Sequence, residues 1–184
     1  MKTGIRVLLL ILIASTFSLP GSAAEPLTGY VVMANNDTII CKIKGGRFLN
    51  PFYGITIINE AGQEQSFRAK DKKIIAFGFV EYLRRYHYLF VEAGDKYEHG
   101  FYQRVVDGKY KLYGRPATVQ GDLPTYVLFN STGQFTKFQA CLICPWKKQL
   151  RELLKDDTKA VEAVESAKPS NVPQFVMDLN KMNN

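Results

Sequence analysis

From about residue 28 to about residue 139 the chain is written in short runs of β-branched and aromatic residues, each bounded by turn-forming ones. That pattern predicts strands. GYVVMA and TIICKIK flank Asn35-Asn36-Asp37, residues that tolerate the left-handed backbone of a tight turn, so the two runs form a hairpin. In its second arm Ile39, Cys41 and Ile43 share one face while Ile40, Lys42 and Lys44 share the other, which turns Cys41 inward. GITIIN and QSFRAK follow around Glu60-Ala61-Gly62-Gln63-Glu64, and Asp71-Lys72-Lys73 turns the chain into IIAFGFV. YLRRYHYLFVEA is strand-like too, with Gly94-Asp95-Lys96 as its turn. The strongest local signal is FYQRVVDGKYKLYGRP, where Asp107-Gly108 suits a type I′ turn pairing Phe101–Val106 with Lys109–Tyr113. TYVLFN and QFTKFQ around Ser131-Thr132-Gly133 make one more hairpin.

Beyond these strands the composition shifts to Leu, Lys, Glu and Ala, and the period becomes helical. Trp146, Leu150, Leu153 and Leu154 fall on one stripe opposite Lys147, Lys148, Arg151 and Lys155, and Pro145 suits the first helical position. A second helix is expected from Thr158 to Ala167, capped by Asp157 and ending before Pro169. A third, from Val172 to about Met182, places Phe175, Val176 and Leu179 on one stripe. The predicted fold class is α+β: an antiparallel β meander, open or barrel-like, followed by two or three C-terminal helices packed on or beside it.

The first segment changes the picture by assigning a compartment. Lys2 and Arg6 precede the apolar run VLLLILIA, and Pro20-Gly21 leads into Ser22-Ala23-Ala24, the pattern of a secretory signal peptide over residues 1–24. Val7 to Ala14 is too short for a membrane span of about 20 residues, and no cysteine follows the expected cut to take a lipid anchor. Residues 25–184 are then expected to be a single exported β-rich domain without a transmembrane segment, periplasmic or extracellular. The leader holds two of the 24 basic residues and none of the 17 acidic ones, so its loss takes the formal charge from +7 to +5. Lys70/Lys72/Lys73, Arg84/Arg85 and Lys147/Lys148/Arg151 are interleaved with acids along the chain, which reads as solvated faces and gives no reason to expect nucleic acid.

Three cysteines are the chemistry to weigh. Cys141-Leu142-Ile143-Cys144 has the spacing of a dithiol redox pair, and Cys144 lies just before a helix start with Lys147 and Lys148 nearby, which favours a thiolate. The helix begins after the second cysteine, however, and hairpins precede it, unlike the βαβ frame of thioredoxin-like sites. The other use is a staple: an exported chain meets oxidising conditions, and a bridge from Cys41 to Cys141 or Cys144 closes a loop worth roughly 4 to 5 kcal/mol. That bridge is the favoured expectation, with a local Cys141–Cys144 bridge left open.

Metal binding is not expected, since His87 and His99 have no Cys or His partners at ligand spacing. Nor is any cofactor: Pro145 stands where haem attachment needs histidine, and Gly45-Gly46 and Gly108 are turn glycines without the Gly-Lys-Ser/Thr of a phosphate loop. There is no Gly-x-Ser-x-Gly elbow, and His87 between two tyrosines reads as a packed strand residue. The aromatic density from Tyr82 to Tyr113 is the remaining binding candidate: Tyr82, Arg84, Tyr86, Tyr88 and Phe90 alternate along one strand, and Tyr97, Phe101, Tyr102, Tyr110 and Tyr113 follow. Tyr82, Arg84, Tyr86, Tyr88 and Tyr102 either stack on a carbohydrate or partner surface or fill the core.

GYVVMANNDTIICKIKG, FYQRVVDGKYKLYG, the Cys-Pro of CLICPWKKQL and the closing FVMDLNK together resemble, across nearly the whole mature chain, a group of exported proteins common in Bacteroidetes. The resemblance implies export and a β-then-α layout and carries over no active site. Cys41 stands where that group has a glycine, and Ile143 where it has an aspartate. The expected role is a non-enzymatic interaction or binding domain of the cell envelope, with a protein or an envelope polymer as partner. The alternatives are a thiol–disulfide oxidoreductase or redox sensor using Cys141 and Cys144, and a carbohydrate-binding protein using the strand aromatics.

Overall fold

The computed structural model describes residues 25–44, 52–92, 99–115 and 123–182. The expected leader, Gly45-Gly46, the turn Gly94-Asp95-Lys96 and Tyr97 lie outside the described residues. Among the described residues ten strands run in order: β1 (Leu27–Met33), β2 (Thr38–Lys44), β3 (Gly54–Ile58), β4 (Glu64–Arg68), β5 (Ile74–Glu81), β6 (Arg84–Val91), β7 (Gly100–Val106), β8 (Lys111–Gly114), β9 (Thr125–Phe129) and β10 (Phe135–Gln139). Three helices follow, α1 (Trp146–Leu153), α2 (Thr158–Ser166) and α3 (Val172–Met182). The fold is α+β, an antiparallel sheet with C-terminal helices.

The sheet is not one continuous meander. Its order is β10-β9-β8-β7-β6-β5-β1-β2-β3-β4, so β5 returns to pair with β1 and two meanders run outward from that seam. It does not close into a barrel, because β10 and β4 stand at its two ends. β4 and β5 run in the same direction, four strand spacings or about 19 Å apart in a flat sheet, yet only residues 69–73 join them, with a 3₁₀ turn at Ala69–Asp71. A flat sheet needs a dozen or more residues for such a return. The β1–β4 half therefore coils over the other, and Cys41, Ile43, Ile55, Ile57 and Phe67 share one apolar cluster with Phe77, Tyr88 and Phe101.

Local turn chemistry explains most hairpins. Asn36 and Gly62 adopt positive φ, as does Gly133, at the three turns expected there. The Asp107-Gly108 turn differs from its type I′ expectation: β8 begins only at Lys111, and the register slips between Arg104 and Val106. The cause lies in α3. Tyr110 N–H donates to Asn180 Oδ1 at 2.8 Å and Asn180 Nδ2 donates to the Tyr110 carbonyl at 2.9 Å, so one side-chain amide replaces a strand partner and pulls Tyr110 from the ladder. The converse surprise is a tight turn at Tyr82-Leu83, both at positive φ, between β5 and β6, where no Gly or Asn announces it.

The helices cover the half of the same face that the coiled strands leave bare. Trp146, Leu150 and Leu154 of the first helical segment, Ala160 and Val164 of α2, and Val172, Val176 and Leu179 of α3 bury against Leu112, Leu128 and Phe138. Each large apolar side chain so buried contributes about 1.5–3 kcal/mol. Asp157 caps α2 by accepting from Ala160 N–H at 3.1 Å, as its position predicts. No helix among the described residues is long and apolar enough to cross a membrane.

Candidate functional site

The loop between β10 and α1 is held rigidly at both ends. Ala140 N–H donates to the Pro124 carbonyl at 3.1 Å, extending the β9–β10 ladder, and Trp146 stacks on Phe138 with ring centroids 6.1 Å apart. Pro145 opens the helix, its carbonyl accepting from Lys148 N–H at 3.0 Å. Between these anchors Cys141 and Cys144 form a disulfide, Cα atoms 5.3 Å apart. Leu142 and Ile143 are thereby presented to solvent at 92% and 97% exposure.

This bridge is the local alternative, and the favoured staple from Cys41 is corrected. Six strands separate β2 from β10 in the sheet order, whereas a disulfide needs Cα atoms about 4.4–6.8 Å apart. Cys41 is buried and unbridged in the coiled half, where burial pushes its thiol pKa up and leaves it inert. The magnitude of the bridge changes accordingly. A four-residue ring stabilises by only about 2 kcal/mol on the chain-entropy model, less than half the value for a long-range staple. Its effect is to fix the shape of the Leu142-Ile143 tip.

Of the two lysines expected to favour a thiolate, one is engaged elsewhere. Lys147 Nζ donates to the Glu165 carbonyl at 2.6 Å, and Arg151 pairs with the Glu165 carboxylate, so both tie α1 to α2. Lys148 instead lines a groove of about 530 Å³ between β10 and α1, walled by Phe135, Thr136, Pro145, Gln149, Glu152 and Leu153. Pro145, Lys148, Gln149 and Glu152 fall at i, i+3, i+4 and i+7, one stripe of the helix. The groove and the disulfide tip are contiguous through Pro145.

The strand aromatics are divided by the fold. Arg84, Tyr86, Tyr88 and Phe90 do alternate onto one face of β6, but Tyr82 lies in the preceding turn. Tyr88 is buried, stacked on Phe77 at 4.6 Å, and its hydroxyl pKa is pushed up to about 12, by burial first and then by Tyr86 and Glu81. Tyr102 is fully buried on the opposite face, edge-on to Phe52. Tyr86 is half-buried, Arg84 is exposed, and Tyr82 is 78% exposed. The five therefore do not form one surface.

One cluster was not singled out from sequence. The Tyr30 hydroxyl and His87 Nδ1 share a hydrogen bond of 2.6 Å across β1, β5 and β6. Gly78 makes this possible, since a Cβ there would stand 2.7 Å from the Tyr30 ring and from the Tyr86 carbonyl. Burial, and next the Arg104 guanidinium, lower the His87 pKa, so the imidazole is neutral at pH 7. The signal was Gly78 inside IIAFGFV, because a mid-strand glycine marks a close approach. The pair spans three strands and brings no nucleophile with it.

A second cavity, of about 390 Å³, lies where Tyr110, Asn130, Leu153 and Asp157 meet. Its polar groups are engaged in structure: Asp157 accepts from Tyr110 OH at 2.5 Å and pairs with Lys109 at 3.1 Å. Among the described residues no three His, Cys, Asp or Glu side chains gather into a metal-binding group. Comparison with protein-family models, with curated proteins and with solved structures gives no match to this chain.

Proposed function

We propose that this chain is an exported, non-enzymatic binding domain of the cell envelope that docks a protein through the Cys141–Cys144 loop. The observation that carries the reading is the near-complete exposure of Leu142 and Ile143 on a disulfide-fixed turn. Burying both against a partner is worth roughly 1.5–3 kcal/mol each, and the bridge has already removed the entropy that ordering the loop would cost. Aliphatic side chains favour protein over polysaccharide, since sugar rings stack on flat aromatic faces, and Tyr88 and Tyr102 are buried in the core. To test it, a photo-crosslinking amino acid replaces Leu142 in one sample and exposed Lys159 in another, each exported by the producing cell. A discrete adduct at position 142 that is absent at 159 is expected, and equal labelling at both positions would sink the reading.

A thiol–disulfide exchange role is the second reading. What favours it is that the bridge is local, with both cysteines only partly buried and Cys41 unbridged. In such a reaction the Cys141–Cys144 disulfide is reduced to two thiols while a partner dithiol is oxidised to a disulfide. Mass-spectrometric mapping of alkylated cysteines across a glutathione titration decides between the two. A bridge that opens within the range of catalytic disulfides, above roughly −270 mV, supports exchange, and one that stays closed below roughly −300 mV leaves the binding role.

A further inference from the structure

We infer that β10 receives an extended peptide segment as an added strand, the peptide's alternate side chains entering the groove between β10 and α1. This deepens the binding reading and rests on it, for it names the kind of partner that the Leu142-Ile143 tip meets.

Three observations carry it. First, β10 is a terminal strand of the sheet among the described residues. Hydrogen bonds from Asn130 N–H to the Gln134 carbonyl and from Ala140 N–H to the Pro124 carbonyl fix the phase of the ladder. With the register Phe135↔Phe129 to Gln139↔Thr125, Thr136 and Phe138 bond to β9, and the backbone groups of Phe135 and Gln139 point away from it. Only an extended backbone matches that alternation.

Second, the two ends of the sheet are built differently. β4 carries exposed Glu64, Gln65 and Arg68, with Glu64 tied to Lys44, the charged pattern that blunts an edge. β10 carries no acidic residue and a single charged one, Lys137; its Phe135 is exposed while its Phe138 lies in the core, and it runs beside a groove of about 530 Å³. The volume is in the range of ligand sites, about 300–1,000 Å³. A strand laid there, about 4.8 Å from β10, places every second side chain against the Pro145, Lys148, Gln149 and Glu152 stripe of α1.

Third, charge selects the occupant. Glu152 is paired with Lys155 at 3.1 Å, whereas Lys148 makes no ion pair among the described residues. The rim is thus positive, and the segment that fits has apolar residues at alternating positions with an acidic residue opposite Lys148. β10 itself, FTKFQ, carries no acidic residue to set opposite Lys148, so the occupant is a different chain rather than a second β10.

The test pans a random-peptide phage library on the full mature protein, then measures the enriched peptides by fluorescence anisotropy. Enriched sequences are expected to be apolar at i and i+2 with an acidic residue between or beside them. N-methylation in the phase that pairs with β10 is expected to weaken binding by about tenfold or more, and in the opposite phase to change it little. Gln139→Pro removes only an outward N–H, so it should keep the wild-type circular dichroism and lose binding by a similar factor. Lys148→Glu should weaken acidic peptides selectively and supplies a second variant if Gln139→Pro fails to fold. Peptides that need Leu142 and Ile143 but ignore N-methylation and Gln139→Pro would overturn strand addition and keep the loop as the docking site. Binding through β10 that is indifferent to Leu142→Ser/Ile143→Ser would fail the loop reading instead. No enrichment, or dimerisation abolished by Gln139→Pro, would overturn the proposal.

Discussion

Asp157 concentrates at one residue what holds the helices to the sheet. It accepts from Ala160 N–H to start α2 and from the Tyr110 hydroxyl at the β7–β8 turn, and it pairs with Lys109. The Tyr110 hydrogen bond, then the Ala160 N–H and Lys109, hold its pKa down at about 2 against an ordinary 3.8. Because the folded value is depressed, its stabilisation is fully present above the ordinary carboxylate pKa and is lost as pH falls through the folded one. Asp157→Asn is expected to cost about 1–3 kcal/mol at pH 7. In urea titrations the gap to wild type should close from about pH 4 toward pH 2. A gap that stayed constant over that range would mean that the carboxylate charge contributes nothing. The cap is legible in the sequence, since Asp precedes the helical run. Tyr110 as its partner, 47 residues earlier, follows only from how the turn and helix pack.

The loop joining β10 to α1 carries the proposed function. Its ends are fixed without the disulfide, by the Ala140 hydrogen bond and by Trp146 on Phe138. Cys141→Ser/Cys144→Ser should therefore fold normally and lose about 2 kcal/mol or less in chemical denaturation. Amide exchange at Leu142 and Ile143 should rise, because the ring no longer restrains them. A collapse of the native fold would contradict the local character of the bridge and restore a staple role. The spacing of the two cysteines was legible at once, but its meaning was not. A Cys-x-x-Cys motif has the same sequence whether Cys41 lies beside it or six strands away.

For the molecule as a whole, one sheet face is covered by two different means: strands β1–β4 coil over one half, and the three helices cover the other. Leu150 of α1, fully buried in the helical half, tests how firmly that cover is seated. Leu150→Ala is expected to cost about 2–5 kcal/mol, read from the urea midpoint at unchanged slope. A loss under about 1 kcal/mol would place α1 outside the core. The same assembly leaves β10 beside α1 with a groove between them. The proposed binding site is thus a by-product of where the helical cover stops.

By itself, the sequence determined the elements and their succession. Alternation set the strands, the inward turn of Cys41 and the hairpins at Asn36, Gly62 and Gly133, while helical spacing set all three helices and the Asp157 cap. These depend on neighbours a few residues away, where period and turn chemistry act. Only the tertiary structure decided that β5 returns to β1, that Cys141 pairs with Cys144, and that Tyr88 and Tyr102 are core while Leu142 and Ile143 are surface. It also overrode local preference twice, letting Asn180 draw Tyr110 out of the Asp107-Gly108 hairpin and holding Tyr82-Leu83 in a tight turn. The reason is common to all of these: each is settled by contact between segments distant along the chain, and local periodicity carries no information about which distant segments meet.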